Sequence, residues 1–65
     1  MIKNLRRGQR VMVFKDPGTE LRPEEEVKLI RLISVDDPRT RPRFQIWWVR
    51  FSDGDETQRA IKIQD

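Results

Sequence analysis

Residues 43–51, RFQIWWVRF, run directly into Ser52-Asp53-Gly54-Asp55. No other part of the chain constrains its architecture as tightly. Aromatic and branched side chains predict a strand, and Asp-Gly supplies the positive φ values that a two-residue hairpin turn demands. Successive strand residues point to opposite faces, so Trp47 and Trp48 cannot both enter one core. One indole belongs to the interior and the other needs a different role.

With Asp53 and Gly54 as the central turn residues, stepping outward pairs Phe51 with Glu56, Val49 with Gln58, Trp48 with Arg59, Trp47 with Ala60 and Ile46 with Ile61. This register carries a parity conflict. Near the turn the more apolar side holds Trp47, Val49 and Phe51, whereas farther out it holds Phe44, Ile46, Ile61 and Ile63. A bulge, bend or strand break around Arg59 and Ala60 resolves the conflict by resetting the inward face. It makes Trp47 core and leaves Trp48 outside with Arg50 and Arg59. Without such a break, Phe44, Ile46, Trp48, Ile61 and Ile63 become the buried face and Trp47 is the exposed indole.

Upstream, Arg10-Val11-Met12-Val13-Phe14-Lys15 predicts a first strand ending at the turn Asp16-Pro17-Gly18. Residues 19–26 are polar, acidic and interrupted by Pro23, and predict a loop. Residues 27–35, VKLIRLISV, are ambiguous. Val27, Leu29, Ile33 and Val35 follow period two, while Leu29, Ile30, Leu32 and Ile33 fit one helical face, with Pro23 and three glutamates suited to a helix start. Val27 and Val35 would fall on the polar side of that helix, and Ile and Val are weak helix formers. Strand is therefore the preferred reading. Asp36-Asp37-Pro38 ends the segment, and residues 39–42 form a second, basic loop.

This succession of strand, polar loop, long strand, basic loop, strand, hairpin, short strand, break and short strand resembles the SH3-like small β-barrels, a superfold of five short strands. The resemblance spans residues 8–63. Arg7-Gly8-Gln9-Arg10-Val11 looks like the entry to the first strand in KOW-type and photosystem-accessory barrels, and Trp47-Trp48 is similar to the tandem Trp of peptide-binding SH3 domains. It implies an all-β, five-stranded barrel occupying 1–65 as one domain, with residues 1–7 as a flexible basic N-terminus. The chain has no Tyr and no Ala-Leu-Tyr-Asp-Tyr motif, so recognition of proline-rich peptides is not implied. A superfold does not by itself assign a function.

A chain of about 60 residues buries only about 60% of its unfolded surface, so little core is to spare. The absence of both Cys and His removes disulfides, zinc sites of the usual ligand types and Ser-His-Asp or Cys-His catalysis. Asp53, Asp55 and Glu56 are too closely spaced for a calcium loop, and no Ser or Thr has a visible activating base. The expectation is a protein that is not an enzyme and uses no cofactor and no metal. No apolar leader or membrane-length stretch occurs, which points to a cytoplasmic location without membrane contact.

Net charge is +3 and the pI about 10.0, compatible with phosphate polymers or acidic surfaces. Ten of the fourteen basic residues are Arg, suited to bidentate contacts with phosphate and to stacking. Residues 1–15 hold five cations and no acid, and residues 16–26 hold five acids against Arg22. Pro38-Arg39-Thr40-Arg41-Pro42-Arg43 looks like the AT-hook, whose two arginines enter the minor groove, but Thr40 replaces its central glycine. Two functions follow as expectations. One is association with DNA or RNA through Trp48, Arg50, Arg59, Arg10, Arg39, Arg41 and Arg43, with the indole stacking and the arginines on phosphates. The other is a protein partner or homo-oligomer, centred on Trp48, Phe44 and Ile46.

Overall fold

A computed structural model of the chain describes residues 5–63. Four antiparallel strands, β1 (Arg10–Phe14), β2 (Pro23–Val35), β3 (Arg43–Arg50) and β4 (Glu56–Ile63), form one sheet in the order β1-β2-β3-β4. No helix occurs among the described residues, and none is therefore long and apolar enough to cross a membrane. The all-β expectation holds in this coarser form. Among the described residues there are four strands rather than five, and the sheet is open: β1 and β4 approach to within 8 Å between Cα atoms without a ladder between them.

The fifth strand is missing because the break near Ala60 is unnecessary. Phe51 N donates to Asp55 O at 2.8 Å and Gly54 N to Phe51 O at 3.0 Å, enclosing a three-residue loop of Ser52, Asp53 and Gly54. Gly54 has φ +94°, whereas Asp53 is not in the left-handed region. A two-residue type I′ turn needs positive φ at both central residues, while a three-residue loop needs it at the final one alone. The ladder consequently runs Arg50↔Glu56, Val49↔Thr57, Trp48↔Gln58, Trp47↔Arg59, Ile46↔Ala60 and Gln45↔Ile61, one residue away from the register expected for an Asp53-Gly54 turn. A one-residue slip turns every side chain of one strand over relative to the other. Here it sets Ile61 and Ile63 on the same side as Trp47 and Val49, and β4 continues unbroken from Glu56 to Ile63.

Trp47, Val49 and Ile61 meet Val11, Val13, Val27 and Leu29 in the core, and Ile63 is buried as well. Trp47 is 3% exposed, and its indole N–H donates to Gln45 Oε1 at 2.9 Å, so burial leaves no polar atom of the ring unsatisfied. Leu5 and Phe51 pack against the rim of this cluster. Leu5 is followed by a turn in which Gln9 N donates to Arg6 O and Arg6 N to Gln9 Oε1, and Gly8 N bonds Leu29 O at 2.7 Å. Gly8 is thus bonded to β2, and Leu5 packs against the core ahead of it. Of the flexible N-terminus expected over residues 1–7, residues 1–4 lie outside the described residues.

Strand β2 begins at Pro23, so the three glutamates expected in a loop are strand residues: Glu26 faces Met12, Glu25 faces Val13 and Pro23 faces Phe14. A flat strand of this length would reach roughly 40 Å, more than the 35 Å long axis of the molecule. It bends instead. The β2–β3 register shifts between Leu29 and Arg31 and again between Leu32 and Ser34, placing bulges at Ile30 and Ile33. Val27, Leu29, Leu32 and Val35 are thereby brought to one side at spacings of two, three and three, which matches neither a strand nor a helix period.

The face assignment makes the two tryptophans unequal. Trp47→Ala should cost about 3–5 kcal/mol, most or all of the stability of so small a domain, and leave the chain unfolded by circular dichroism at room temperature. Trp48→Ala should remain folded, with a loss of about 1 kcal/mol or less in urea titration. Gly54→Ala, strained by its φ of +94° although no atom lies within 4 Å of the added Cβ, should lower stability by about 1 kcal/mol.

Candidate nucleic-acid interface

The outer face of the sheet is built by the alternates of the core residues. Val11, Val27 and Val49 point inward, so their neighbours Arg10, Lys28 and Arg50 point outward. The ladder aligns these three with Glu56 in one row across all four strands: Arg10↔Lys28, Lys28↔Arg50 and Arg50↔Glu56. The next row holds Arg31, Trp48 and Gln58, and the one beyond it Ser34, Ile46 and Ala60. Trp48 is half-buried and lies between the cation row and Ile46.

Glu56 organises one end of this surface. Its Oε1 accepts from the Trp48 indole N–H at 2.7 Å, and its Oε2 accepts from Arg50 Nε at 2.7 Å, with Arg50 Nη2 at 2.6 Å. Those bonds, the indole first and then the guanidinium, hold the Glu56 carboxyl below its usual range, because hydrogen bonds to the ionised form favour it. Arg50 is neutralised by this contact. Arg10, Lys28 and Arg31 have no ion pair or side-chain hydrogen bond among the described residues. Like charges directly opposite on neighbouring strands repel, by at most about 1 kcal/mol per pair in water. The sheet therefore tolerates the row, but the repulsion is relieved if an anion lies across it.

Arg59 is not part of this surface. Register places it opposite Trp47 rather than Trp48, on the core side of the sheet. There its guanidinium reaches both carboxylate oxygens of Glu24 at 3.2 Å and lies 5.2 Å from the centroid of the Phe51 ring. The Arg59 contact holds the Glu24 carboxyl below its usual range and joins β4 to the start of β2. Ser52 N donates to Glu25 Oε2 at 2.6 Å alongside. The hollow under the hairpin, lined by Glu24, Glu25, Asp53, Asp55 and Glu56 around Phe51 and Arg59, is carboxylate-rich and repels phosphate.

The loop arginines are also separate from the row. Arg39 Nε donates to Asp37 Oδ1 at 3.3 Å, and Arg41 Nη1 folds back onto the carbonyls of Pro38 and Thr40 at 2.6 and 2.7 Å. The Arg41–Pro42 peptide is cis. In the AT-hook resemblance the two arginines extend into a groove, whereas here both close on their own loop. Arg43 lies on the core side opposite Ile63, half-buried. Of the seven residues expected to bind, Arg10, Trp48 and Arg50 share one face, and Arg39, Arg41, Arg43 and Arg59 lie elsewhere.

Lys28 and Arg31 complete the face and were not among the expected residues. Lys28 was legible, since it sits between Val27 and Leu29 in a strand-period run. Arg31 was hidden by the bulge at Ile30, which moves it out of that period. No family model, curated protein or solved structure matches this chain.

Glu24 and Glu56 titrate below their unfolded values, so their contribution to stability is present above the ordinary glutamate range and is lost as pH falls through the folded pKa. The urea midpoint should fall on acidification below about pH 5. Glu24→Gln and Glu56→Gln should each flatten that fall, and carboxyl chemical shifts followed by NMR should titrate below the ordinary 4.5.

Proposed function

We propose that the protein is a non-enzymatic module that binds single-stranded nucleic acid across its outer sheet face. The observation that carries this reading is the cation row Arg10, Lys28 and Arg50 lying directly beside the half-buried indole of Trp48. A row of cations follows a phosphate backbone without regard to sequence, and an aromatic platform stacks any unpaired base at about 1–3 kcal/mol. Unpaired bases favour a single strand over a duplex, whose bases are already stacked on one another. The SH3-like resemblance adds the expectation that a small half-closed sheet offers such a face, and a five-stranded closed barrel is not needed for it. Arg59, Arg39 and Arg41 take no part, because none lies on the face of Trp48: Arg59 is bound to Glu24 on the core side, and Arg39 and Arg41 close on their own loop.

Glu56 restrains this site, since it holds Arg50 and the Trp48 N–H and places a negative charge at the end of the row. Binding to DNA or RNA oligonucleotides, followed by quenching of Trp48 fluorescence, should weaken steeply with added salt. Arg10→Glu and Lys28→Glu should each weaken it and reduce the slope of log K against log salt by about 1. Glu56→Gln should tighten it, and Arg39→Ala and Arg41→Ala should leave it unchanged. Binding that is insensitive to salt, or that responds to the loop arginines and not to Lys28, would overturn the reading.

A further inference from the structure

The distal half of β2 has β3 on one side and no strand on the other. The β1 ladder stops at Arg10↔Lys28 and is extended only by the bonds between Leu29 and the Gly8 and Gln9 backbone. Among the described residues, nothing pairs with residues 30–35 along their outer edge. The same segment carries three of the exposed large apolar side chains, Leu32 at 45%, Ile33 at 37% and Val35 at 57%. An open edge with apolar side chains is a template for strand addition. The self-complementarity of its sequence identifies the partner.

Leu32 pairs with Trp47 and Val35 with Gln45, so both lie on the core side, while Arg31 pairs with Trp48 on the outer side. Asp36 continues the outer side, its N–H donating to Phe44 O at 3.1 Å and its Oδ2 accepting from Phe44 N at 3.1 Å, which leaves Oδ1 for a partner. When two copies of this edge meet antiparallel, one register sets Leu32 opposite Val35 of the second copy and Arg31 opposite its Asp36. By symmetry each pair forms twice. Apolar groups then meet on the core side, and opposite charges meet on the outer side. A slip of one residue in either direction sets Leu32 opposite Ser34 or Asp36, which lie on the other face, and loses both matches.

We infer that the protein forms a two-fold symmetric dimer by antiparallel pairing of the distal β2 edges, with Arg31 and Asp36 as the reciprocal charge pair. The bulge at Ile33 interrupts the ladder at its centre, so the interface is short and the dimer is concentration-dependent rather than obligate. Pairing continues the sheet across the two-fold axis into eight strands, with Leu32 and Val35 covered by their counterparts. Arg10, Lys28 and Arg50 are not consumed, whereas Arg31 borders both surfaces; the dimer is therefore read by sedimentation without nucleic acid, so its failure and the failure of nucleic-acid binding are distinguishable.

Sedimentation of the full chain over a concentration series tests the dimer, with a 7.9 kDa monomer as the reference mass. The mass should double as concentration rises. Arg31→Glu and Asp36→Arg should each weaken association about tenfold or more by placing like charges opposite. An equimolar mixture of these two variants should recover it, because the mixed dimer restores both pairs. The double variant R31E/D36R should recover it as a homodimer, which separates a charge effect from damage to the fold. A protein that stays monomeric throughout, a dimer indifferent to both single reversals, or a failure of both recovery arms while circular dichroism remains native would overturn the inference.

Discussion

Gly54 is the residue on which the arrangement of both sheet faces turns. Its positive φ, with Asp53 outside the left-handed region, selects a three-residue loop and so sets which residue of β4 stands opposite each residue of β3. Because side chains alternate strictly along a strand, this one choice carries Ile61 and Ile63 into the core with Trp47 and Val49. It also takes Arg59 off the Trp48 face and delivers Glu56 to it. A two-residue turn at the same place would have exchanged these neighbours without any change in composition.

The outer face owes its charge pattern to that register and to β2. Each inward valine of the core forces its strand neighbour outward, and in three strands at the same level those neighbours are Arg10, Lys28 and Arg50. The acidic residues are gathered instead around the hairpin and the start of β2, where Glu24 holds Arg59 and Glu25 holds the Ser52 N–H. A net charge of +3 is a weak signal for nucleic acid. Neighbouring cations on one face, Arg10, Lys28 and Arg31 with Glu26 and Glu56 at their margin, are a stronger one, because a polyanion responds to the local field within a Debye length.

One strand, β2, has three roles along its length. Its first half contributes Val27 and Leu29 to the core and Lys28 to the cation row, covered on one side by β1. Past the first bulge it extends beyond β1 with its edge open. The two bulges bend a strand too long to lie flat in the molecule, and they return Leu32 and Val35 to the core side where little remains to cover them.

Much of the fold was legible in the residues. Branched and aromatic runs identified the strands, Asp36-Asp37-Pro38 and Ser52-Asp53-Gly54 identified the breaks, and adjacent tryptophans on one strand required one indole inside and one outside. Strand parity kept Trp47 with Val49 and Trp48 with Arg50 on opposite faces but left open which of the two faces is buried. Loop length and strand irregularity were not legible, because Asp-Gly serves both two- and three-residue hairpins and a bulge changes the period without a sequence marker of its own. Arg59 was misplaced for a related reason, and the local contacts of the loop arginines were not foreseen: charge and residue type do not reveal which carboxylate or carbonyl will be within reach. The amino-acid sequence by itself determined an all-β chain, the position of the hairpin and the need for one inward and one outward indole. Only the tertiary structure decided the register, and with it which charges share a face, since pairing across strands depends on backbone geometry at Gly54, Ile30 and Ile33 rather than on the side chains being paired.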